Sequence, residues 1–176
     1  MTRKFKKGLA TIGTWLLCVL PAYAQNSDYL TELLVDDHDY IAIPLKRIAT
    51  GQLQLVMSIN RIEGRFILDT GATATTLDNS SKLKFRITSR AFGGVVASAG
   101  GAGMALEKVN TPYRLELGDL RIQDFELYVT NLDHVNDTFE SMGVSPIDGV
   151  VGADLLTTMN GVIDYRNMTL YLLPED

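Results

Sequence analysis

The residues best suited to chemistry form a short acidic turn, Asp69-Thr70-Gly71-Ala72, directly after the apolar run Phe66-Ile67-Leu68. The plain alternative is a surface Asp-x-Gly turn, in which Asp binds its own backbone and Gly adopts positive φ. A solvent turn is rarely entered through three apolar residues and left through a run, Ala72 to Leu77, that holds no charge. A carboxyl group at the end of a buried strand is more typical of a functional site. The sequence therefore points to Asp69 as a candidate catalytic group.

The elements that must position this turn are predicted to be short strands. Apolar residues alternate along 53–59, and again along 113–117, 120–122 and 125–129. This period of two is the pattern of half-buried strands. A closing hairpin is predicted around Arg166-Asn167. Many short strands with frequent Gly turns indicate an all-β barrel or sandwich.

Helical patterns are sparse by comparison. Residues 154–159 predict one short helix, and residues 27–34 allow a further turn. Residues 130–149 are rich in Asn, Asp, Ser and Gly, which predicts a long surface loop. The acidic run Asp36-Asp37-His38-Asp39 predicts a solvated leader over residues 25–39.

The segment from Phe66 to Ala72 resembles the active-site strand and turn of the retropepsin-like aspartic proteases. Three further segments follow in the order of that family. Residues 99–103 resemble the Gly-rich tip of its flap hairpin, 115–129 resemble the two strands after the flap, and 150–156 resemble a hydrophobic-hydrophobic-Gly element with a short helix. The resemblance covers roughly residues 50–173. It implies a closed β-barrel half-lobe with a flap hairpin and one short helix, active as a homodimer.

The resemblance also implies roles for individual residues. Asp69 would supply a catalytic carboxylate, Thr70 would hydrogen-bond across two copies of the turn, and Gly71 would let the two backbones approach. The remaining predicted site residues either contact substrate (Ala72 and the flap residues Gly100, Gly101 and Gly103) or support the turn (Val151 and Gly152).

The sequence holds a single Asp-[Ser/Thr]-Gly motif, because Asp148-Gly149 and Gly118-Asp119 have the wrong order. The family needs two carboxylates, so the second must come from Asp69 of another copy. The chain departs from retroviral members at Thr73 and Ala153, where those proteases carry an acid and an arginine that pair. Both partners are missing together, so no unpaired charge remains, and support for the dimer is expected from other residues.

Three functions remain open at this point. The first is an aspartic endopeptidase that acts on polypeptides. The second is a non-catalytic peptide-binding or dimerisation module on the same fold, and the third is a β-barrel that binds a small ligand. The intact Asp69-Thr70-Gly71-Ala72 turn favours the endopeptidase, since a pure binder needs no acid there.

The N-terminal residues predict export to the periplasm or secretion. Basic residues at 3–7, an apolar run over 9–20 and Ala22-Tyr23-Ala24 are typical of a signal peptide over residues 1–24. The apolar run is too short for a membrane-spanning helix, so no stable span is expected after cleavage. We divide the rest into an acidic leader with the first strand, 25–49, and a protease domain, 50–176.

Charge and residue types exclude several other functions. Loss of residues 1–24 leaves 12 basic against 21 acidic residues, a net charge of −9, which disfavours nucleic acid as a partner. Cys18 is the only cysteine, and His38 and His134 lie far apart in the sequence. We therefore expect neither a metal site nor a cofactor.

Overall fold

The computed structural model describes residues 29–96 and 104–174. The predicted signal peptide, residues 1–24, lies outside these ranges, as do the predicted flap-tip residues Gly100, Gly101 and Gly103.

Short strands dominate the described part of the chain, as predicted. They are β1 (Ile41–Pro44), β2 (Lys46–Arg47), β3 (Leu53–Ile59), β4 (Ile62–Leu68), β5 (Thr76–Asp78), β6 (Ser89–Val96), β7 (Met104–Val109), β8 (Leu115–Leu117), β9 (Leu120–Ile122), β10 (Tyr128–Thr130), β11 (Gly149–Val151), β12 (Val162–Asp164) and β13 (Thr169–Leu172). The helices are α1 (Tyr29–Thr31), a π-helical turn (Glu32–Asp36), a 3-10 turn (Asn79–Ser81), α2 (Lys82–Phe85), α3 (Asp133–Ser141) and α4 (Ala153–Thr158).

The strands form two sheets, which confirms the all-β class. The larger sheet runs in the order β6-β7-β10-β5-β11-β4-β3-β8-β9, with β2 also on β3. Its end strands, β6 and β9, do not pair with each other within the described residues. The predicted closure into a barrel is therefore not observed among these residues, because β6 is an end strand that pairs with β7 on one side. The smaller sheet has the order β1-β13-β12.

The hairpin of β3 and β4 carries the centre of the core. Leu53, Leu55, Met57 and Ile59 are all buried, as their alternation predicts. Burial of each such side chain stabilises the fold by about 1.5–3 kcal/mol. The two strands pair over their full length, from Leu53 opposite Leu68 to Ile59 opposite Ile62. This rigid pair ends immediately before the Asp69 turn.

The segment 130–149 is not the surface loop that its composition predicts. Its first half forms α3, which buries Phe139 against Ile67, Leu132 and Ile147. The spacing of Leu132, Val135 and Phe139 is helical, and the side chain of Asn136 between them hydrogen-bonds both the amide and the carbonyl of Ile147 in the same cluster. The prediction was wrong because packing of the three apolar residues on one helix face outweighs the polar composition of the segment.

Several smaller predictions are confirmed. The short helix predicted at 154–159 is α4, and the hairpin predicted around Arg166-Asn167 is β12–β13. The alternating runs predicted at 113–117 and 120–122 contain β8 and β9, which pair with each other. The expectation of one short helix is wrong in number, because α2 and α3 are also present. The acidic leader is not free in solution along its whole length, since Thr31 Oγ1 lies 2.6 Å from the buried Tyr171 hydroxyl. Within the described ranges, no helix has the length and apolar character needed to cross a membrane.

Candidate active site

Strands β4 and β11 place Asp69 at the edge of the core. They run parallel, with Val151 opposite Leu68, and both side chains are buried. The Asp69 amide donates to the Val151 carbonyl at 3.0 Å, so the pairing continues one residue into the turn. The sequence-based placement of Asp69 at the end of a buried strand is therefore confirmed.

The turn itself presents its carboxylate to the outside of the chain. The Gly71 amide donates to Asp69 Oδ1 at 2.9 Å, and the Ala72 amide donates to the Asp69 carbonyl at 3.1 Å. These bonds orient one carboxylate oxygen and leave Oδ2 without a hydrogen bond from the described residues. Asp69, Thr70 and Gly71 are exposed, and Ala72 is half-buried. A carboxylate held in this way can accept a proton from water, but a lone one supplies no acid.

The predicted support residues meet the turn directly. A Cβ atom on Gly152 would lie 2.7 Å from the Ala74 carbonyl and 2.9 Å from the Ala72 carbonyl oxygen, so only Gly fits against this backbone. The next residue, Ala153, donates its amide to the Ala72 carbonyl at 2.8 Å. Val151 and Gly152 thus contact the turn as the support role requires, and the role itself stays a prediction.

Sequence reasoning missed a pair that braces the same turn. Thr75 donates its amide to Asp154 Oδ2 at 2.8 Å and its hydroxyl to Oδ1 at 2.7 Å. The Thr75 hydroxyl oxygen also accepts the buried Gly152 amide at 3.0 Å. Ala153 directly precedes Asp154, and one residue separates Thr73 from Thr75. The pair therefore lies beside the two positions at which retroviral members carry an acid and an arginine. An acid directly after the Val-Val-Gly-Ala run is the signal that could have indicated it.

The arms of the predicted flap hairpin are present. Strands β6 and β7 pair antiparallel, with a register shift between Ala91 and Val95, and β7 pairs with β10. The Phe92 ring on β6 meets the Tyr128 ring on β10 edge-on, with 5.2 Å between centroids. The described hairpin arms therefore lie beside the strand that follows the flap. The roles of Gly100, Gly101 and Gly103 at its tip stay predictions.

Two charged clusters tie the flap arm β7 to its neighbours. Lys108 forms an ion pair with Glu126, whose carboxylate also accepts the Tyr128 hydroxyl at 2.7 Å. The hydrogen bond from Lys108, with that from Tyr128, lowers the pKa of Glu126. In turn, the bond to Glu126 raises the pKa of Tyr128 to about 12, so its phenol stays neutral. On the other side, hydrogen bonds from Ser89 and then Lys82 lower the pKa of Glu107.

A cavity of about 490 Å³ lies between the turn and the flap arm. We call it the flap-side cavity; its lining includes Thr73 and Ala74 of the turn, Phe92 of β6, residues 123–126, Tyr128 of β10 and Asp154 of α4. The segment that carries Asp69 thus runs directly into one wall of this cavity.

Within residues 29–96 and 104–174, no three His, Cys, Asp or Glu side chains come together as a metal site. The expectation of no metal and no cofactor stays a prediction.

Solved structures that are similar to this chain include three proteases or protease-like domains. A retropepsin-like aspartic protease from Rickettsia conorii is 19% identical, with 76% of this chain and 88% of that chain covered and a TM-score of 0.45. The protease of EIAV in complex with the inhibitor HBY-793 is 16% identical, with 64% and 92% covered and a TM-score of 0.47. The retroviral protease-like domain of Ddi1 from Leishmania major is 18% identical, with 71% and 96% covered and a TM-score of 0.43.

No curated protein matches the sequence. A family model, described as aspartyl protease, matches residues 55–155, which is more than half of the chain. The match begins in β3 and ends in α4, so it includes the Asp69 turn, both flap arms and the Val151-Gly152 support. The chain therefore belongs to the aspartyl protease family.

Proposed function

We propose that the protein is an aspartic endopeptidase whose catalytic site forms between two copies of the chain. Each copy supplies one Asp69 carboxylate, and the two together activate the water that attacks a peptide bond. The observation that carries the proposal is the Asp69 turn, an outward-facing carboxylate anchored at the end of a buried strand by β11.

Two carboxylates a few ångströms apart cannot both ionise, so they share one proton. The ionised group takes a proton from water as it attacks the scissile carbonyl. The protonated group donates to the developing oxyanion, and a proton then passes to the leaving amine. Thr70 and Gly71 are exposed beside Asp69, where a second copy of the turn would meet them. Ala72 would leave room for the substrate backbone.

The two acids that flank β11 in the sequence, Asp148 and Asp154, are already committed within the chain. Asp154 accepts from Thr75 and from the Leu155 amide. Asp148 is buried and accepts from the Arg65 amide at 2.9 Å and from Lys84 at 2.7 Å. These contacts leave neither carboxylate available as a partner for Asp69, which supports a second copy as its source.

The test is hydrolysis of a denatured protein by the purified chain over about pH 3 to 7, where paired carboxylates share a proton. Asp69→Asn should reduce the rate at least 100-fold, because an amide cannot take up the proton, and acid–base groups are worth about 10²–10⁴-fold. The variant should stay folded, since its side-chain oxygen can still accept the Gly71 amide. Circular dichroism checks the fold.

The matched control is Asp119→Asn, which removes an exposed acid in the β8–β9 turn and should leave the rate unchanged. A statine-type inhibitor should block the wild type. Hydrolysis by Asp69→Asn at the wild-type rate would show that the Asp69 carboxylate is not catalytic. Binding of peptides without hydrolysis by the wild type would favour the non-catalytic module.

A further inference from the structure

The flap-side cavity combines two kinds of wall. Its aromatic wall is built by Phe92, Phe125 and Tyr128, with Phe92 exposed although it is a large apolar side chain. Its polar rim carries the carboxylates of Asp124, Glu126 and Asp154. None of the described residues that line it is basic. An exposed aromatic ring in a concave site is a place where a ligand side chain can bury apolar surface.

The three carboxylates differ in what they already bind. Glu126 is satisfied by Lys108 and the Tyr128 hydroxyl, and Asp154 by Thr75. Asp124 is exposed, and its carboxylate makes no hydrogen bond or ion pair with the described residues. The negative charge at the rim is therefore available at Asp124.

The protein already holds one cation against this wall. Lys108 Nζ lies 6.0 Å from the centre of the Phe92 ring while it pairs with Glu126. A cation over an aromatic face and beside a carboxylate is attracted by both groups. Phe125 and Tyr128 line the same cavity as Asp124, and no cation of this chain is among the described residues that line it.

We infer that the flap-side cavity is a specificity subsite for a long cationic side chain, arginine or lysine, of the peptide substrate. This inference rests on the proposed peptidase function and names its substrate class. The aliphatic stem of the ligand would lie against Phe92 and Tyr128, and its charged head would reach Asp124 at the rim. Arginine fits best, because its planar head both stacks on aromatic rings and pairs with a carboxylate. Thr73 and Ala74 connect this subsite to the Asp69 turn.

The test uses sets of octapeptides that differ at one position at a time, with arginine, its neutral isostere citrulline, or norleucine. Wild-type kcat/KM is measured for each set, and binding to the Asp69→Asn protein is measured separately by fluorescence anisotropy. At one position, arginine should improve both kcat/KM and binding by about three- to tenfold over citrulline, the scale of a partly exposed charged contact.

Asp124→Asn should remove that difference, and Asp119→Asn should keep it. Asn adopts the left-handed backbone of residue 124 (φ 52°) as readily as Asp, so the loop is preserved. Equal values for arginine and citrulline at every position would overturn the inference, as would a preference for norleucine or an arginine preference that survives Asp124→Asn.

The two proposals fail separately. If the wild type hydrolyses peptides and its preference for arginine does not depend on Asp124, the peptidase proposal stands and the subsite proposal is wrong. If the wild type binds arginine peptides without hydrolysing them, and Asp124→Asn abolishes this binding, the subsite proposal stands and the peptidase proposal is wrong.

Discussion

At the scale of single residues, the Asp69 turn is held by a threonine–aspartate pair inside one chain. Asp154 receives two hydrogen bonds from Thr75, and the Thr75 oxygen receives the buried Gly152 amide. The Thr75 hydroxyl therefore links Asp154 on α4 to Gly152 and to the turn. Because the Gly152 amide is buried, loss of this oxygen would leave it without an acceptor, which costs about 1–3 kcal/mol.

Thr75→Val keeps the shape of the side chain and removes its hydroxyl. We expect a loss of about 1–3 kcal/mol in the free energy of unfolding, together with a lower kcat at nearly constant KM, because the turn loses its position rather than its substrate contacts. Thr75→Ser should restore both values. Denaturant unfolding and steady-state kinetics measure the two effects.

Thr73→Val is the matched control for stability, since Thr73 is exposed and donates no hydrogen bond to the described residues. Its unfolding free energy should change by less than about 0.5 kcal/mol. Equal stability of Thr75→Val and Thr73→Val would contradict the bracing role of Thr75.

The contact of Val151 and Gly152 with the Asp69 turn could be predicted from the sequence, because both segments match motifs of one family in the expected order. The sequence did not predict the Thr75–Asp154 pair, whose members are 79 residues apart. That pairing depends on β11 lying between β4 and β5, which local patterns do not specify. The register of three strands brings the two side chains together.

At the scale of elements, the support strand must approach the turn without a side chain. Gly152→Ala would place a Cβ atom 2.7 Å from the backbone of Ala74, so the turn must move. We expect a stability loss of about 1–3 kcal/mol, the usual cost of overpacking, and a clear fall in kcat. Thermal unfolding and the peptidase assay are the measurements.

Gly161→Ala provides the control at the other end of α4. Its Cβ atom would lie 3.1 Å from the end of the Leu156 side chain and 3.2 Å from the Leu156 carbonyl oxygen, so a shift of a few tenths of an ångström would accommodate it. This variant should keep nearly full activity. If Gly152→Ala matched Gly161→Ala in both stability and kcat, close contact between β11 and the turn would not be needed.

The hairpin of β12 and β13 is closed by one carboxylate. Asp164 accepts the amides of Asn167 and Arg166 and the Asn167 side chain, and these bonds, led by that of the Asn167 amide, lower its pKa from an ordinary 3.8. A lowered pKa gives stability that is present above 3.8 and is lost as the pH falls through the folded value. Asp164→Ala should therefore unfold at a lower temperature than the wild type at about pH 6.

The gap in unfolding temperature between wild type and Asp164→Ala should narrow steadily as the pH falls below 3.8. Asp119→Ala, in another exposed hairpin turn, serves as the control. A gap of constant size across this range would show that the charge of Asp164 does not stabilise the turn.

Helix α3 was not predicted from the sequence, unlike most of the strands. The strands were predictable because alternation recurs in each of them, as in β3. Residues 130–149 carry the polar composition of a loop, yet Leu132 and Phe139 bury against Ile67 on the back of β4. Tertiary burial of a few side chains decides such a segment, and composition alone misses it.

At the scale of the whole molecule, the chain provides half of the proposed site. The Asp69 turn is exposed, and Asp148 and Asp154, the acids that flank β11 in the sequence, are engaged within the chain. The flap-side cavity is lined by Thr73 and Ala74 of the turn and by Phe92 of the flap arm. On this account, a folded single copy has a rigid half-site without activity, and activity arises when two half-sites meet.

Mixing of wild-type and Asp69→Asn chains tests this account most directly. A fixed amount of wild type is incubated with increasing Asp69→Asn protein, at a total concentration where the specific activity of the wild type no longer rises with concentration. If each site needs two Asp69 carboxylates, random pairing lowers the activity per wild-type chain to about half in an equimolar mixture, and further with excess variant. The same experiment with Asp119→Asn should show no loss. Activity per wild-type chain that stays constant at every ratio of Asp69→Asn would contradict a catalytic site shared between two copies.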